Sequence, residues 1–274
     1  MAARPEPLRS RCPTDAARPG RLPRGTLPAL AGGLLLAAAA AVLLRDLFGL
    51  GAAVVAVAVV VHLAGAAAVL VGARRAHPPA RFGTGNHVTT VRLAVAAAFA
   101  GLAVDAARLP ADAPALWLPV ALALAALALD GVDGRLARRA GTASAFGERY
   151  DLEVDAFLIL VLALIVWQLG KAGPWVLAIG AMRYAFVLAG RCLPWLRAPL
   201  PPSRRRKAWC VVQVSVLCAL LSPWFVPPWS PALALVALAG LTGSFAADLR
   251  WLSRRRRLTA GAARAAGRAG HRRG

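Results

Sequence analysis

Eight apolar runs, separated by short segments rich in Arg, Pro and Gly, constrain this chain more than any other feature. They lie at roughly 27–44, 48–71, 88–104, 113–129, 156–169, 175–193, 208–226 and 231–247. A helix needs about 20 apolar residues to cross the hydrocarbon of a bilayer. Several runs fall slightly short of that, and the fourth and fifth become long enough if their helices continue through the polar stretch between them. The pattern predicts an all-α polytopic membrane protein of about eight helices packed on one another. A chain that is 59% hydrophobic and only 16% charged fits that class; soluble chains are nearer half apolar and a quarter charged.

The net charge of +21 would suggest nucleic acid in a soluble protein. Its distribution argues otherwise. With the N-terminus inside and the helices alternating, 28 of the 33 basic residues fall on the inner side, in segments 4–24, 74–81, 135–149, 191–207 and 250–273. Only Arg45, Arg108 and Lys171 fall outside, and Arg92 and Arg183 lie within apolar runs. This is the orientation signal of an integral protein of a bacterial inner (plasma) membrane, with both termini cytoplasmic. Residues 1–25 read as a basic disordered tail and 253–274 as a basic tail against anionic headgroups. The four cysteines form no CxxC pair and the four histidines have no metal-ligand spacing, so neither residue type points to chemistry.

The chemistry lies in one polar stretch between the fourth and fifth runs. Asp130, Asp133, Glu148, Asp151, Glu153 and Asp155 are six of the twelve acidic residues, within 26 positions. Asp130 and Asp133 are spaced i,i+3, and Asp151 and Asp155 i,i+4, so each pair lies on one face of a helix. A turn at 139–146 would set the two pairs facing each other. Four carboxylates at a membrane edge repel unless a cation binds them. Divalent Mg²⁺ or Mn²⁺ would resolve this, and two such ions shared with substrate phosphates suit phosphoryl transfer. Gly134 lets a ligand approach the backbone, and Arg138 offers a forked donor to a phosphate or diphosphate. One carboxylate would take the proton of an attacking hydroxyl. The bland alternative pairs the acids with Arg135, Arg138, Arg139 and Arg149.

Asp130, Asp133, Gly134, Ala137, Arg138, Gly147, Asp151 and Asp155 follow the order Asp-x2-Asp-Gly-x2-Ala-Arg-x8-Gly-x3-Asp-x3-Asp. This resembles the signature of the CDP-alcohol phosphatidyltransferases, matched at every fixed position. Upstream, Asn86-x2-Thr89-x2-Arg92 looks like the opening of that family's first core helix. The resemblance covers about 80–252 and implies a six-helix core, with the two helices of 26–75 as an N-terminal extension. It implies that Asp130, Asp133, Asp151 and Asp155 hold two divalent ions and that Asp155 is also the general base. It implies contacts to the CDP moiety from Asn86, Thr89, Gly134, Arg138 and Ser144. The implied reaction moves a phosphatidyl group from CDP-diacylglycerol to an alcohol, releases CMP and belongs to phospholipid synthesis. A homodimer is a further implication of the family.

The acceptor stays open. Arg183, inside an apolar run, either pairs with the aspartates or binds a substrate phosphate. The run Arg204–Lys207 is either a solvated inner loop or a phosphate-binding cup, in which case the acceptor is phosphorylated, as glycerol 3-phosphate and inositol phosphate are. Leu152 and Ala156 stand where phosphatidylglycerophosphate synthases usually carry Pro and Lys, and Glu153 has no assigned role. Two rival readings are transfer of a CDP-linked polar alcohol to a lipid hydroxyl, and an ion-coupled transporter whose acids bind the coupling ion.

Overall fold

The computed structural model describes residues 22–75, 81–139, 144–198, 200–201 and 203–271, the side chains of 130–139, 207 and 258–271 excepted. Among them are eight α-helices: α1 (Thr26–Phe48), α2 (Ala53–Arg75), α3 (Thr84–Leu102), α4 (Trp117–Arg139), α5 (Ala145–Gln168), α6 (Leu177–Cys192), α7 (Arg204–Leu221) and α8 (Trp229–His271). There is no strand among the described residues; one isolated bridge joins Arg24 to Arg81. Ala and Leu carry the helices, and Gly and Pro divide them. Gly49 ends α1 in the left-handed region at φ 63°, where a side chain would be strained. Prolines precede α4, α6 and α8 and follow α6.

Among the described residues, four spans are long and apolar enough to cross a membrane: Thr26–Phe48, Ala53–Arg75, Pro174–Cys192 and Trp229–Arg257. The protein is an all-α polytopic membrane protein. Helix α3 is not among these four spans, and its polar residues are explained by where it sits. Helix α3 is packed by α1, α2, α4 and α5, and 13 of its 19 residues are buried. A helix so enclosed faces protein rather than lipid, so it can carry Asn86, Thr89, Thr90 and Arg92 on buried positions without exposing them to hydrocarbon.

The packing around α3 is close because small residues permit it. A Cβ at Gly101 would lie 2.2 Å from the carbonyl oxygen of Val54 in α2. A Cβ at Gly33 of α1 would lie 2.7 Å from Thr90 and 2.8 Å from His62, and one at Gly65 of α2 2.9 Å from Leu93. Helices α1 and α2 are therefore seated on the first polar helix rather than appended at the periphery. Beyond it, α5 packs on α6 and α7, and α7 on α4 and α8, around a core that includes Phe99, Leu102, Leu116, Leu162, Ile165 and Leu217.

The basic C-terminal segment continues the last helix. Helix α8 runs on for 43 residues, through the basic segment to His271. At 1.5 Å per residue this is roughly 65 Å, about twice the hydrocarbon thickness. Ala and Arg are among the best helix formers, so the segment needs no apolar face to stay helical.

Candidate active site

Two helices bring the described part of the site together. Ser144 caps α5, its hydroxyl accepting from the Gly147 amide at 3.1 Å, which satisfies one of the free donors of the first turn. Helix α5 then presents Asp151 and Asp155 one turn apart toward α3. There Arg92, with only 3% of its side chain exposed, meets both. Its Nη1 donates to Asp151 Oδ1 at 2.5 Å, and its Nη2 pairs with Asp155 Oδ1. The carboxylates are 36% and 23% exposed, so the guanidinium sits on the protein side while part of each carboxylate still faces outward.

The upstream polar residues reach the same place. Asn86 Nδ2 donates to the Phe82 carbonyl oxygen, which turns its Oδ1 toward the start of α5. A Cβ at Gly147 would lie 2.8 Å from that oxygen and 3.2 Å from Ser144 Oγ. Glycine at 147 is thus what allows Asn86 and Ser144 to lie side by side. One turn on, Thr90 Oγ1 donates to Asn86 O at 2.8 Å and lies 3.1 Å from the Tyr150 hydroxyl. Thr89 is buried, and its hydroxyl donates to Gly85 O at 3.1 Å.

Asp130, Asp133, Gly134 and Arg138 fall on the last turns of α4, which like α5 packs on α3; their side chains lie outside the described residues, as does that of Lys207 on the first turn of α7. Arg183 of α6 pairs with an acid on α5. Its Nη2 donates at 2.7 Å to Glu153 Oε1, the acid that had no assigned role. Arg205 and Arg206 both approach Asp248 of α8, at 2.6 and 3.5 Å. Part of the basic run that opens α7 is therefore neutralised across the helix pair.

Sequence reasoning missed the Arg92 contact. The signal was present: an Arg within an apolar run requires an anionic partner, and Arg92 is such a residue.

The profile of the CDP-alcohol phosphatidyltransferase family matches residues 82–243. The chain belongs to that family. The match begins at Phe82, just before α3, and ends within α8, leaving α1 and α2 outside it. No curated protein and no solved structure matches the chain. Membership makes the protein a transferase with a CDP-alcohol donor and an alcohol acceptor, in a family that generally depends on divalent metal. Among the described residues there is no group of three or more His, Cys, Asp or Glu side chains able to hold a metal. Asp151 and Asp155 nevertheless fit part of such a site: two oxygen-donor carboxylates on one helix face, still partly open, and already drawn together by a positive charge.

Proposed function

We propose that this transferase moves a phosphatidyl group from CDP-diacylglycerol to an alcohol acceptor in phospholipid synthesis. The observation that carries the reading is the convergence of Asp151 and Asp155 on Arg92, with Asn86, Gly147 and Ser144 beside them. The motif's last two aspartates are then one functional group.

In this reading Asp130, Asp133, Asp151 and Asp155 hold two Mg²⁺ or Mn²⁺ ions. Bound there, the ions would neutralise charge on the diphosphate and its leaving oxygen. Arg92 positions the two α5 carboxylates and keeps them aimed across the α3–α5 contact. Asn86, Thr89, Gly134, Arg138 and Ser144 hold the CDP moiety, with Arg138 offering its fork to the diphosphate. Asp155 accepts the proton of the acceptor hydroxyl. The acceptor oxygen forms a bond to the β-phosphorus as the bond from that phosphorus to the bridging oxygen breaks, and CMP leaves with that oxygen. Arg183 and Lys207 would contact a phosphorylated acceptor, which would compete with Glu153 for Arg183. The charge distribution supports a bacterial plasma membrane with this site and both termini cytoplasmic, and the family supports a homodimer.

The test is turnover by purified protein in the presence of Mg²⁺, given CDP-diacylglycerol and a panel of free and phosphorylated alcohols, with products read by lipid mass spectrometry. The proposal expects CMP release coupled to one new phospholipid, and loss of both in EDTA. Turnover only with a CDP-linked polar alcohol and a lipid hydroxyl would refute the donor assignment. Ion transport without CMP release would refute the reaction.

A further inference from the structure

A cavity of about 1400 Å³ opens between α2 on one side and α5 and α6 on the other, with Leu93 of α3 lining it between them. It is well above the size of an ordinary small-molecule pocket, about 300–1,000 Å³. Its α2 wall is apolar and largely of small residues, with Gly65, Ala68 and Gly72 among them; Val154 and Phe157 line the α5 side. Three arginines line it at helix ends: Arg75 closing α2, Arg149 in the opening turns of α5 and Arg191 in the last turn of α6. All three are exposed, and none forms an ion pair among the described residues. The acid that lines the cavity, Glu153, is engaged by Arg183. The mouth is therefore uncompensated positive charge above an apolar groove.

The three arginines at its mouth are not among the residues assigned to the reaction. At 100° per residue, Arg149 and Glu153 lie on roughly the opposite face of α5 from Asp151 and Asp155. One wall is α2, which lies outside the family match.

We infer that this groove holds an anionic glycerophospholipid of the surrounding bilayer as a resident, non-reacting lipid: its phosphate at Arg75, Arg149 and Arg191, its acyl chains along α2 and α5. Charge complementarity selects the headgroup, since three arginines around one phosphate offer several charge-assisted hydrogen bonds. The apolar walls select the chains, because water there would leave the Ala, Val and Phe surface wetted. A lipid seated so would tie the two extra helices to the catalytic core.

The test uses the full chain purified in detergent and photolabelled with phosphatidylglycerol carrying a diazirine in its acyl chain, the labelled peptides being mapped by mass spectrometry. Labelling is expected around Ala68–Gly72 and Val154–Phe157, several-fold above that given by the matching phosphatidylcholine probe. Replacing Arg75, Arg149 and Arg191 together by Gln should lower it at least fivefold. Ala68→Trp, which fills the groove without touching its charge, should lower it comparably. Asp155→Asn should keep wild-type labelling while losing CMP release, so failure of this inference is separable from failure of the proposed reaction. Equal labelling by both headgroups, labelling elsewhere on the chain, labelling only by a CDP-linked probe, or protomer-to-protomer crosslinks filling the groove would each overturn it.

Discussion

Arg92 of α3 and Asp155 of α5 form an ion pair across the helix contact on which the site is built, the guanidinium side chain 3% exposed and the carboxylate side chain 23%. The same guanidinium engages Asp151, so one buried cation holds two acids that would otherwise repel. In the proposed reaction these acids hold divalent ions, and Arg92 offsets the repulsion between them.

Arg92→Met should therefore destabilise the protein, leaving two adjacent carboxylates without their buried cation. Removing one partner of a fully buried pair costs about 3–5 kcal/mol. Both carboxylates here are partly solvated, so about 2–3 kcal/mol is expected in EDTA, read as a fall in melting temperature. Mg²⁺ should then raise the melting temperature of Arg92→Met more than that of the wild type, because ligand that binds only the folded state stabilises it. No Mg²⁺ shift in either protein would mean that these carboxylates do not hold the metal.

Gly147→Ala sets two effects against each other. Alanine favours a helix over glycine by about 1 kcal/mol. The added Cβ would lie 2.8 Å from Asn86 Oδ1, and Asn86 is held by its own bond to the Phe82 carbonyl. Overpacking of this kind costs about 1–3 kcal/mol, so the clash wins and a net loss of about 1 kcal/mol is expected. Because Asn86 is displaced from the proposed CDP site, KM for the donor should rise more than kcat falls. A variant with unaltered KM and stability would contradict the packing described.

Lys171, in the turn between α5 and α6, is fully buried, and its Nζ donates to the Ser222 carbonyl oxygen at 2.5 Å. Burial pushes its ammonium down from 10.5 to about 8, against the opposing pull of Asp112. Between these values the unfolded chain holds a proton that the folded chain has released, so stability rises with pH there. The melting temperature of the wild type, taken relative to Lys171→Met, should be flat below about pH 8 and climb toward pH 10.5. A flat difference throughout would show that this lysine keeps its charge in the fold.

Hydropathy made most of the helices legible. Residues 27–44 became Thr26–Phe48, and 175–193 became Leu177–Cys192. It did not reveal the extent of α8, because Arg and Ala sustain a helix through propensity, which an apolar count ignores. The motif marked Asp151 and Asp155, but their partner Arg92 lies about 60 residues earlier, and a local spacing rule cannot join helices. The same holds for Glu153 with Arg183 and for Asp248 with Arg205. Each charge was visible in the sequence, whereas its pairing depended on which helix faces meet.

In the proposed reaction Asp155 takes the acceptor's proton while CMP departs. The most direct measurement is the initial rate of CMP release from CDP-diacylglycerol by wild-type and Asp155→Asn protein. It is made with the accepted alcohol and saturating Mg²⁺, folding being checked by size-exclusion elution and melting temperature. General-base and ligand loss together predict a fall of about 10²–10⁴-fold with folding retained. A folded Asp155→Asn protein releasing CMP at the wild-type rate would contradict the account.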